Sequence, residues 1–219
     1  MKWFKKLIMP PPPPNNIPIQ SQATLSSDFK VTNTAQTTNT WLESFNYDYE
    51  FLLRYARLLS LLPTNTKKFP PVRSILDLGC GMQYLKEVIK HDFKFKNAKY
   101  LGVDLYAHKS DTLLCDFNQK EFPKLTKDYD LIVCAGLFEY IVDLEFLIER
   151  ICELEPHYIL CSYNFLDFTQ KHNPIWVKLH TQEELFSFFF KRNYKLLTYE
   201  SDESKETLIT GYFLFYKNL

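Results

Sequence analysis

Apolar positions along the chain follow two patterns, a helical period and short continuous runs that are typical of buried strands. Between residues 41 and 62 they repeat with a helical period, which predicts a helix that Pro63 ends. Short apolar runs further along predict five strands, at residues 72–78, 99–103, 112–114, 129–135 and 158–162. Helical patterns follow the first and the fourth of these runs. Strands that alternate with helices are the signature of a parallel sheet.

The C-terminal part of the chain predicts a different arrangement. Thr181 and Glu184 form a capping box at the start of a helical pattern that reaches Arg192. Two more strand patterns follow, at residues 194–199 and 208–216, with only a polar turn between them. Because a parallel crossover needs about a dozen residues or more, this short connection predicts an antiparallel hairpin. The residues therefore indicate an α/β fold whose parallel sheet ends in an antiparallel hairpin.

The N-terminal residues 1–40 contain little that a core would bury. Five consecutive prolines at positions 10–14 favour an extended polyproline II helix, and the residues after them are rich in Asn, Gln, Ser and Thr. We therefore predict a disordered tail, whose proline run is either a docking peptide for a protein partner or a stiff linker. The predicted division of the chain is a tail at 1–40, an N-terminal helix at 41–63 and a larger domain at 64–219.

Composition and charge narrow the classes of function. The chain has 219 residues and a formal net charge of zero, which disfavours a broad nucleic-acid footprint. The five cysteines form no Cys-x-x-Cys pair, and no His, Asp or Glu cluster has metal-ligand spacing, so we predict buried thiols and no metal. No apolar run reaches the roughly 18 residues of a membrane span, and the N-terminus lacks the apolar core of a signal peptide. We expect a cytoplasmic protein.

Two glycines follow the first strand pattern, in the segment Asp77-Leu78-Gly79-Cys80-Gly81. A strand, a glycine turn and a helix let a ligand approach the backbone closely. A dinucleotide fingerprint needs a third glycine where Tyr84 stands, and the Gly-Lys-Ser/Thr of a phosphate-binding loop is absent. The segment resembles the first motif of class I S-adenosylmethionine (SAM) dependent methyltransferases, with Gln83 at the position of the family's usual third glycine.

This resemblance implies a Rossmann-like fold, in which a seven-stranded, mostly parallel sheet carries helices on both faces and ends in the antiparallel hairpin. It also implies SAM as the cofactor. The N-terminal helix is then either a lid over the cofactor cleft or a helix that simply packs on the sheet.

Ligands of open α/β sheets bind at the carboxyl ends of the strands, and the resemblance assigns roles to the residues there. Asp77 helps to place the ammonium group of SAM, and Asp104 accepts hydrogen bonds from the ribose hydroxyls. The N–H groups of the helix after the glycines meet the methionine carboxylate. Asp116 and Phe117 meet the adenine, unless Asp116 instead caps a turn into Asn118. The expected cofactor contacts are Asp77, Gly79, Cys80, Gly81, Asp104, Leu105, Asp116, Phe117 and Gly136.

The expected acceptor side lies after the fourth and fifth strands. Residues 135–141 resemble the fourth family motif, in which many small-molecule methyltransferases have Leu-Glu-His, but Tyr140 replaces the histidine. A polar and aromatic segment after the fifth strand replaces a simple crossover and is predicted to face the cleft. A hydroxyl acceptor needs a base, and the candidates are Glu139, Tyr163 and His172. The alternative for His172 is a solvated loop histidine.

These features predict methyl transfer from SAM to a small or medium-sized acceptor, with a sugar or another metabolite favoured over nucleic acid. A second hypothesis is a methyltransferase-like partner or regulatory module without catalysis, which Gln83 and Tyr140 keep open. A third, a nicotinamide dehydrogenase, is disfavoured by Tyr84.

Overall fold

The computed structural model describes residues 49–65, 67–125, 128–169, 173–202 and 208–217. Within these ranges the helices are α1 (Tyr49–Ser60), α2 (Tyr84–Lys90), α3 (Leu144–Glu153) and α4 (Gln182–Phe190). The strands are β1 (Ser74–Leu78), β2 (Lys99–Asp104), β3 (Leu113–Leu114), β4 (Leu131–Ala135), β5 (Tyr158–Thr169), β6 (Tyr194–Asp202) and β7 (Leu208–Lys217). Short 3-10 helices occupy Phe93–Phe95, Phe117–Gln119 and Phe138–Tyr140. The proline run and the start of the predicted N-terminal helix lie outside the described residues, so the tail, its docking role and the domain division stay predictions.

The seven strands form one sheet, in the order β3-β2-β1-β4-β5-β7-β6. Strands β1 to β5 pair in parallel, whereas β7 is antiparallel to both β5 and β6. The register places Asp77 beside Val133 of β4 and Leu78 beside Val103 of β2, so these three strands end at one edge of the sheet. The predicted Rossmann-like, mostly parallel sheet with a C-terminal antiparallel hairpin is confirmed.

Side chains of the central strands alternate between two buried layers. On one face, Leu76 and Ile132 join a core with α3 and α4. On the other face, Ile75 and Leu131 join a core with α1 and α2. This alternation puts helices on both faces, as predicted. It also explains why the strands appear in the sequence as continuous apolar runs, since both of their sides are covered.

Two helices begin at the caps that the sequence predicts. The Asp143 carboxylate accepts a hydrogen bond from the N–H of Phe146 at 3.2 Å, at the start of α3. At the start of α4, the Thr181 hydroxyl accepts from the N–H of Glu184, and the Glu184 carboxylate accepts from the N–H of Thr181, both at 3.1 Å. Each cap satisfies an N–H group that a helix start leaves open, and losing one costs about 1 kcal/mol.

The predicted end of the N-terminal helix is wrong by two residues. α1 ends at Ser60 rather than at Leu62. The N–H groups of Leu61 and Leu62 bond to carbonyls three residues back, at 3.1 and 3.3 Å, so the chain tightens into a turn there. Pro63 favours this ending because it disfavours the helical conformation of the residue before it.

The predicted end of the fifth strand is also wrong, and this difference changes the site. β5 continues to Thr169 rather than ending at Ser162. Its added part pairs with β7, where Thr210 lies opposite Asn164, and on its other side the N–H of Leu166 donates to the carbonyl of His180 at 2.9 Å. The segment expected to be a cleft loop therefore begins as a strand, which holds Asn164 rigidly in the sheet.

Candidate functional site

The loop after β1 is hydrogen-bonded onto the end of β2. The N–H groups of Gly79 and Cys80 both donate to the carbonyl of Val103, at 2.8 and 3.1 Å. The N–H of Gly81 donates to Oδ2 of Asp104 at 2.8 Å. The structure therefore brings the glycine loop and Asp104 together, as expected for two strand ends that share one ligand.

The glycine loop leaves room for a ligand and keeps its shape without a third glycine. Gly81 has a φ of +49°, and a Cβ built on it would meet no described heavy atom within 4 Å. Gln83 has a φ of +60°, the left-handed conformation that glycine adopts most readily. Its side-chain amide donates to Oδ1 of Asp111 and to the hydroxyl of Thr112, both at 3.0 Å. Gln83 therefore departs from the family motif in residue type but provides the backbone turn.

Most N–H groups of this loop are already used inside the protein. Those of Gly79, Cys80 and Gly81 bond to the end of β2, and that of Gln83 donates to the carbonyl of Cys80 at 2.8 Å. These four N–H groups are therefore not available to a ligand, whereas the expected contact between the methionine carboxylate and the N–H groups at the start of α2 stays a prediction.

Asp77 is a fully buried carboxylate, and one of its oxygens is unpaired among the described residues. Its Oδ2 accepts a hydrogen bond from the hydroxyl of Tyr100 on β2 at 2.7 Å. Its Oδ1 has no hydrogen-bond partner in the described part of the chain. The pKa of Asp77 is raised to about 7. Burial is the largest cause of this rise, the hydrogen bond from Tyr100 offsets part of it, and the charge of Asp104 adds to it. An unpaired buried carboxylate oxygen is costly, and a cationic ligand group would satisfy it.

Asp104 is half-buried and held by two backbone donors. Besides the bond from Gly81, its Oδ1 accepts from the N–H of Tyr106 at 3.2 Å. Each carboxylate oxygen accepts through more than one lone pair, so both oxygens can still bind a hydroxyl. The predicted ribose contact of Asp104, with half-buried Leu105 beside it, fits this geometry.

Three other expected contacts take positions that limit their part in binding. Asp116 accepts from the N–H of Asn118 at 2.9 Å and caps a 3-10 helix, which was the alternative prediction for it. Phe117 packs in the core beside Phe122, with 7% of its surface exposed. The thiol of Cys80 is buried against Gly102 of β2, so Cys80 offers the ligand mainly its backbone.

An arginine of α1, which the sequence analysis did not identify, packs against the loop after β4. Gly136 has a φ of +65°, and a Cβ built on it would lie 2.7 Å from Nη1 of Arg54, which reaches over from α1. Leu137 packs against Gly79, where an added Cβ would lie 2.9 Å from Cδ1 of Leu137. The loops after β1 and β4 thus touch, and Arg54 lies on the second of them. A lone arginine in a helix has no spacing signal that would reveal this position.

Glu139 is the second buried carboxylate of this edge. Its Oε1 accepts two hydrogen bonds from Asn164 on β5, from the backbone N–H at 3.0 Å and from Nδ2 at 2.7 Å. The Thr210 hydroxyl on β7 donates to Oδ1 of Asn164 at 2.7 Å and so fixes the orientation of the amide. Burial raises the pKa of Glu139, and the backbone hydrogen bonds and the charge of Arg54 offset part of that rise. Its Oε2 has no hydrogen-bond partner among the residues described.

Tyr163 is not placed to act as the predicted base, which is a correction. Its side chain is fully buried among Phe138 and Phe165. Its hydroxyl accepts a hydrogen bond from the N–H of His180 at 2.8 Å, and burial raises its pKa well above the ordinary value. The alternation of β5 turns this side chain into the core. His172 lies outside the described residues, so its role stays a prediction.

The described ranges contain no group of three His, Cys, Asp or Glu side chains that could hold a metal ion. No helix in them is long and apolar enough to cross a membrane.

Comparisons with solved structures show the same fold at low identity. Magnesium protoporphyrin IX methyltransferase from Synechocystis PCC 6803, solved with bound SAH, is 10% identical with a TM-score of 0.57, over 84% of this chain and 94% of that chain. A chain from the complex between the Haloferax volcanii Trm112 methyltransferase activator and a protein described as a methyltransferase is 15% identical, with a TM-score of 0.59, over 78% and 92%. The cyclase SpnF is 8% identical, with a TM-score of 0.55, over 75% and 81%.

Sequence comparison identifies the family. A search of curated proteins gave no significant match. A family model described as a methyltransferase domain matches residues 47–200, which is more than half of the chain and includes both buried carboxylates. The protein therefore belongs to the methyltransferase domain family, and the predicted class I SAM-dependent methyltransferase is confirmed in its fold, its enzyme class and its cofactor.

Proposed function

We propose that this protein methylates a hydroxyl or amine of a small or medium-sized acceptor, such as a sugar or another metabolite, and that Glu139 receives the proton. The observation that carries this proposal is the free Oε2 of Glu139, a buried carboxylate oxygen without a partner among the described side chains. Glu139 follows β4, and the loop between them touches the glycine loop through Leu137.

The residues present fit SAM, which supplies a methyl group activated by its sulfonium centre when bound. Oδ1 of Asp77 is free to take the ammonium group. The open space at Gly81 lets a ligand lie against the backbone. Asp104 is oriented by two N–H donors and can accept from the ribose hydroxyls. These roles of Asp77, Gly81 and Asp104 are part of the proposal.

Glu139 is suited to receive a proton because hydrogen bonds fix the orientation of its carboxylate and burial keeps water away from it. Asn164 holds Oε1, so Oε2 keeps a constant position toward an acceptor. Burial raises the pKa of the carboxyl, which makes its ionised form a stronger base than an exposed glutamate. The residue is 1% exposed, so its carboxyl is shielded from water.

The test is SAH formation from SAM across pools of sugars, small metabolites and other hydroxyl or amine compounds. Wild type is compared with Glu139→Gln, which keeps the shape and an oxygen for Asn164, and with Glu121→Gln, a control at an exposed glutamate. We expect one pool to be methylated by wild type and by the control. Glu139→Gln should lose at least about 100-fold in kcat, as expected for a missing general base.

Two results would contradict this proposal. An unchanged kcat in Glu139→Gln would exclude Glu139 as the general base. A wild type that binds SAM but methylates no pool would favour the alternative, a methyltransferase-like partner or regulatory module without catalysis.

A further inference from the structure

Two arginines one turn apart on α1 have opposite surroundings. Arg57 makes ion pairs with Glu200 at 3.4 Å and with Asp202 at 3.1 Å, and donates to the carbonyl of Ser201 at 2.8 Å. Arg54 has no carboxylate within ion-pair distance in the part of the chain that the structure describes, although the residue is partly buried. The charge of Arg54 lowers the pKa of Glu139, but no described carboxylate is close enough to form an ion pair with its guanidinium, so a ligand anion can still bind there.

The guanidinium of Arg54 is held in a fixed place at the carboxyl edge of the sheet. It lies against Gly136, where its Nη1 is 2.7 Å from the position of an added Cβ. Its Cζ lies 5.1 Å from the centre of the Phe51 ring, and its side chain hydrogen-bonds to Tyr212 of β7. Since Leu137 follows Gly136 and packs on Gly79, this cation lies beside the proposed cofactor loop.

The amino-acid end of SAM carries one ammonium and one carboxylate, and both need partners in a partly buried cleft. The free Oδ1 of Asp77 can take the ammonium. The N–H groups of Gly79, Cys80, Gly81 and Gln83 are bonded to Val103, Asp104 and Cys80, so these four are not available to the carboxylate. A guanidinium is the side chain best matched to a carboxylate, because its planar N–H groups donate two parallel hydrogen bonds.

We propose that Arg54 binds the carboxylate at the methionine end of SAM, and that α1 is therefore part of the cofactor site rather than only a cover for the sheet. This inference rests on the proposed function, because it requires SAM or its product SAH to occupy the cleft. Asp77 and Arg54 then recognise the two charges of one zwitterion, from β1 and from α1.

Calorimetric titration tests this with two ligands and three variants. SAH carries the amino-acid end, whereas methylthioadenosine has the same adenosine and sulfur without it. Arg54→Met keeps the length and apolar packing of the side chain, Arg54→Lys keeps the charge, and Arg57→Met is the control on the same helix. We expect Arg54→Met to weaken SAH binding at least tenfold and to leave methylthioadenosine unchanged. Arg54→Lys should fall in between, and Arg57→Met should leave both affinities unchanged.

Equal weakening of both ligands in Arg54→Met, or no change in SAH binding, would overturn the inference. A test with wild type alone covers the case in which Arg54→Met fails to fold. Esterifying the carboxylate of SAH should weaken its binding at least tenfold, and an unchanged affinity would contradict the role of Arg54. Failure of wild type to bind SAH at all would instead reject the proposed function, so the two failures are distinguishable.

Discussion

Asp77 and Glu139 make an instructive pair, because two neighbouring strands end in the same unusual arrangement. Both carboxylates are buried, at the end of β1 and in the segment after β4. A side chain of the next strand outward holds one oxygen of each, Tyr100 for Asp77 and Asn164 for Glu139. The other oxygen of each has no hydrogen-bond partner within the described ranges. The candidate site therefore has two halves, one at Asp77 and one at Glu139, and each contains a carboxylate oxygen that can accept a hydrogen bond from a ligand.

The difference lies in how far the protein compensates each charge. Two donors from Asn164 hold Glu139, and the charge of Arg54 favours its ionised form. A single hydroxyl holds Asp77, and the charge of Asp104 works against its ionised form. Asp77 therefore gains most from a full positive charge, as a cofactor ammonium provides. Glu139 is better suited to exchange a proton with a neutral acceptor.

The largest expected effect comes from removing the charge of Asp77. Without ligand, its pKa of about 7 lies above the value of about 4 in an unfolded chain, so the unfolded state loses the proton first. Stability from this group is complete below pH ~4 and is lost as pH rises to about 7, by up to ~4 kcal/mol. Wild type should therefore lose stability between pH 4 and 7 relative to Asp77→Asn. Urea unfolding of both proteins at pH 4 and at pH 7 measures this difference. An equal change in the free energy of unfolding of the two proteins between these pH values would contradict the prediction.

The same substitution should weaken cofactor binding while it stabilises the free protein. The ammonium needs the ionised carboxylate, so SAH affinity of wild type should rise with pH up to about 7 and then level off. Asp77→Asn should bind SAH at least about tenfold more weakly at pH 8, a loss of ~1.4 kcal/mol, with little dependence on pH. Calorimetry over a pH series checks this. Equal pH dependence in both proteins would assign the ammonium to another residue.

Smaller effects should follow from removing the donor that holds each carboxylate. Tyr100→Phe removes the hydrogen bond that lowers the pKa of Asp77, so the midpoint of SAH binding should move above pH 7. Asn164→Ala should raise the pKa of Glu139 and shift the acid limb of kcat upward, with SAH affinity unchanged. The two variants should each change one profile only. A shift of both profiles by either variant would show that the halves are not separate.

The smallest effect is expected at Thr210, which acts on Glu139 through Asn164. Thr210→Val removes the donor to Oδ1 of Asn164 and should cost about 1 kcal/mol, a severalfold loss in kcat. The shift of the acid limb of kcat should resemble that of Asn164→Ala but be smaller, while SAH affinity is unchanged. Thr198→Val is a control on the neighbouring strand, where no activity change is expected. Equal losses in the two variants would indicate a general effect on the hairpin.

The sequence predicts what depends on neighbouring residues. The glycine loop after β1, the acid that ends β2 and the caps at Asp143 and Thr181 all follow from short patterns, and each lies where expected. The parallel pairing of the first five strands and the antiparallel hairpin at the end follow from the spacing of strands and helices. Local signals therefore predicted the fold and the meeting of the glycine loop with Asp104, whereas Asp116 and Phe117 take other positions than expected.

The acceptor half depends on contacts that no local pattern contains. The extension of β5 is stabilised by β7, and Glu139, Asn164 and Thr210 come together only through that pairing. Tyr163 is buried because side chains alternate between the two faces of the extended β5. Its hydroxyl group alone therefore wrongly indicated a base at the cleft. Arg54 becomes informative only when Gly136 is seen to leave space for it.

The most direct test of the central claim is calorimetric titration of SAM and SAH into wild type and Asp104→Ala, with circular dichroism to confirm that both are folded. The account predicts that wild type binds both ligands and that the variant loses at least tenfold in affinity, about 1.4 kcal/mol. Binding of neither ligand by folded wild type, or equal affinity in the variant, would contradict a cofactor site at the carboxyl ends of β1 and β2.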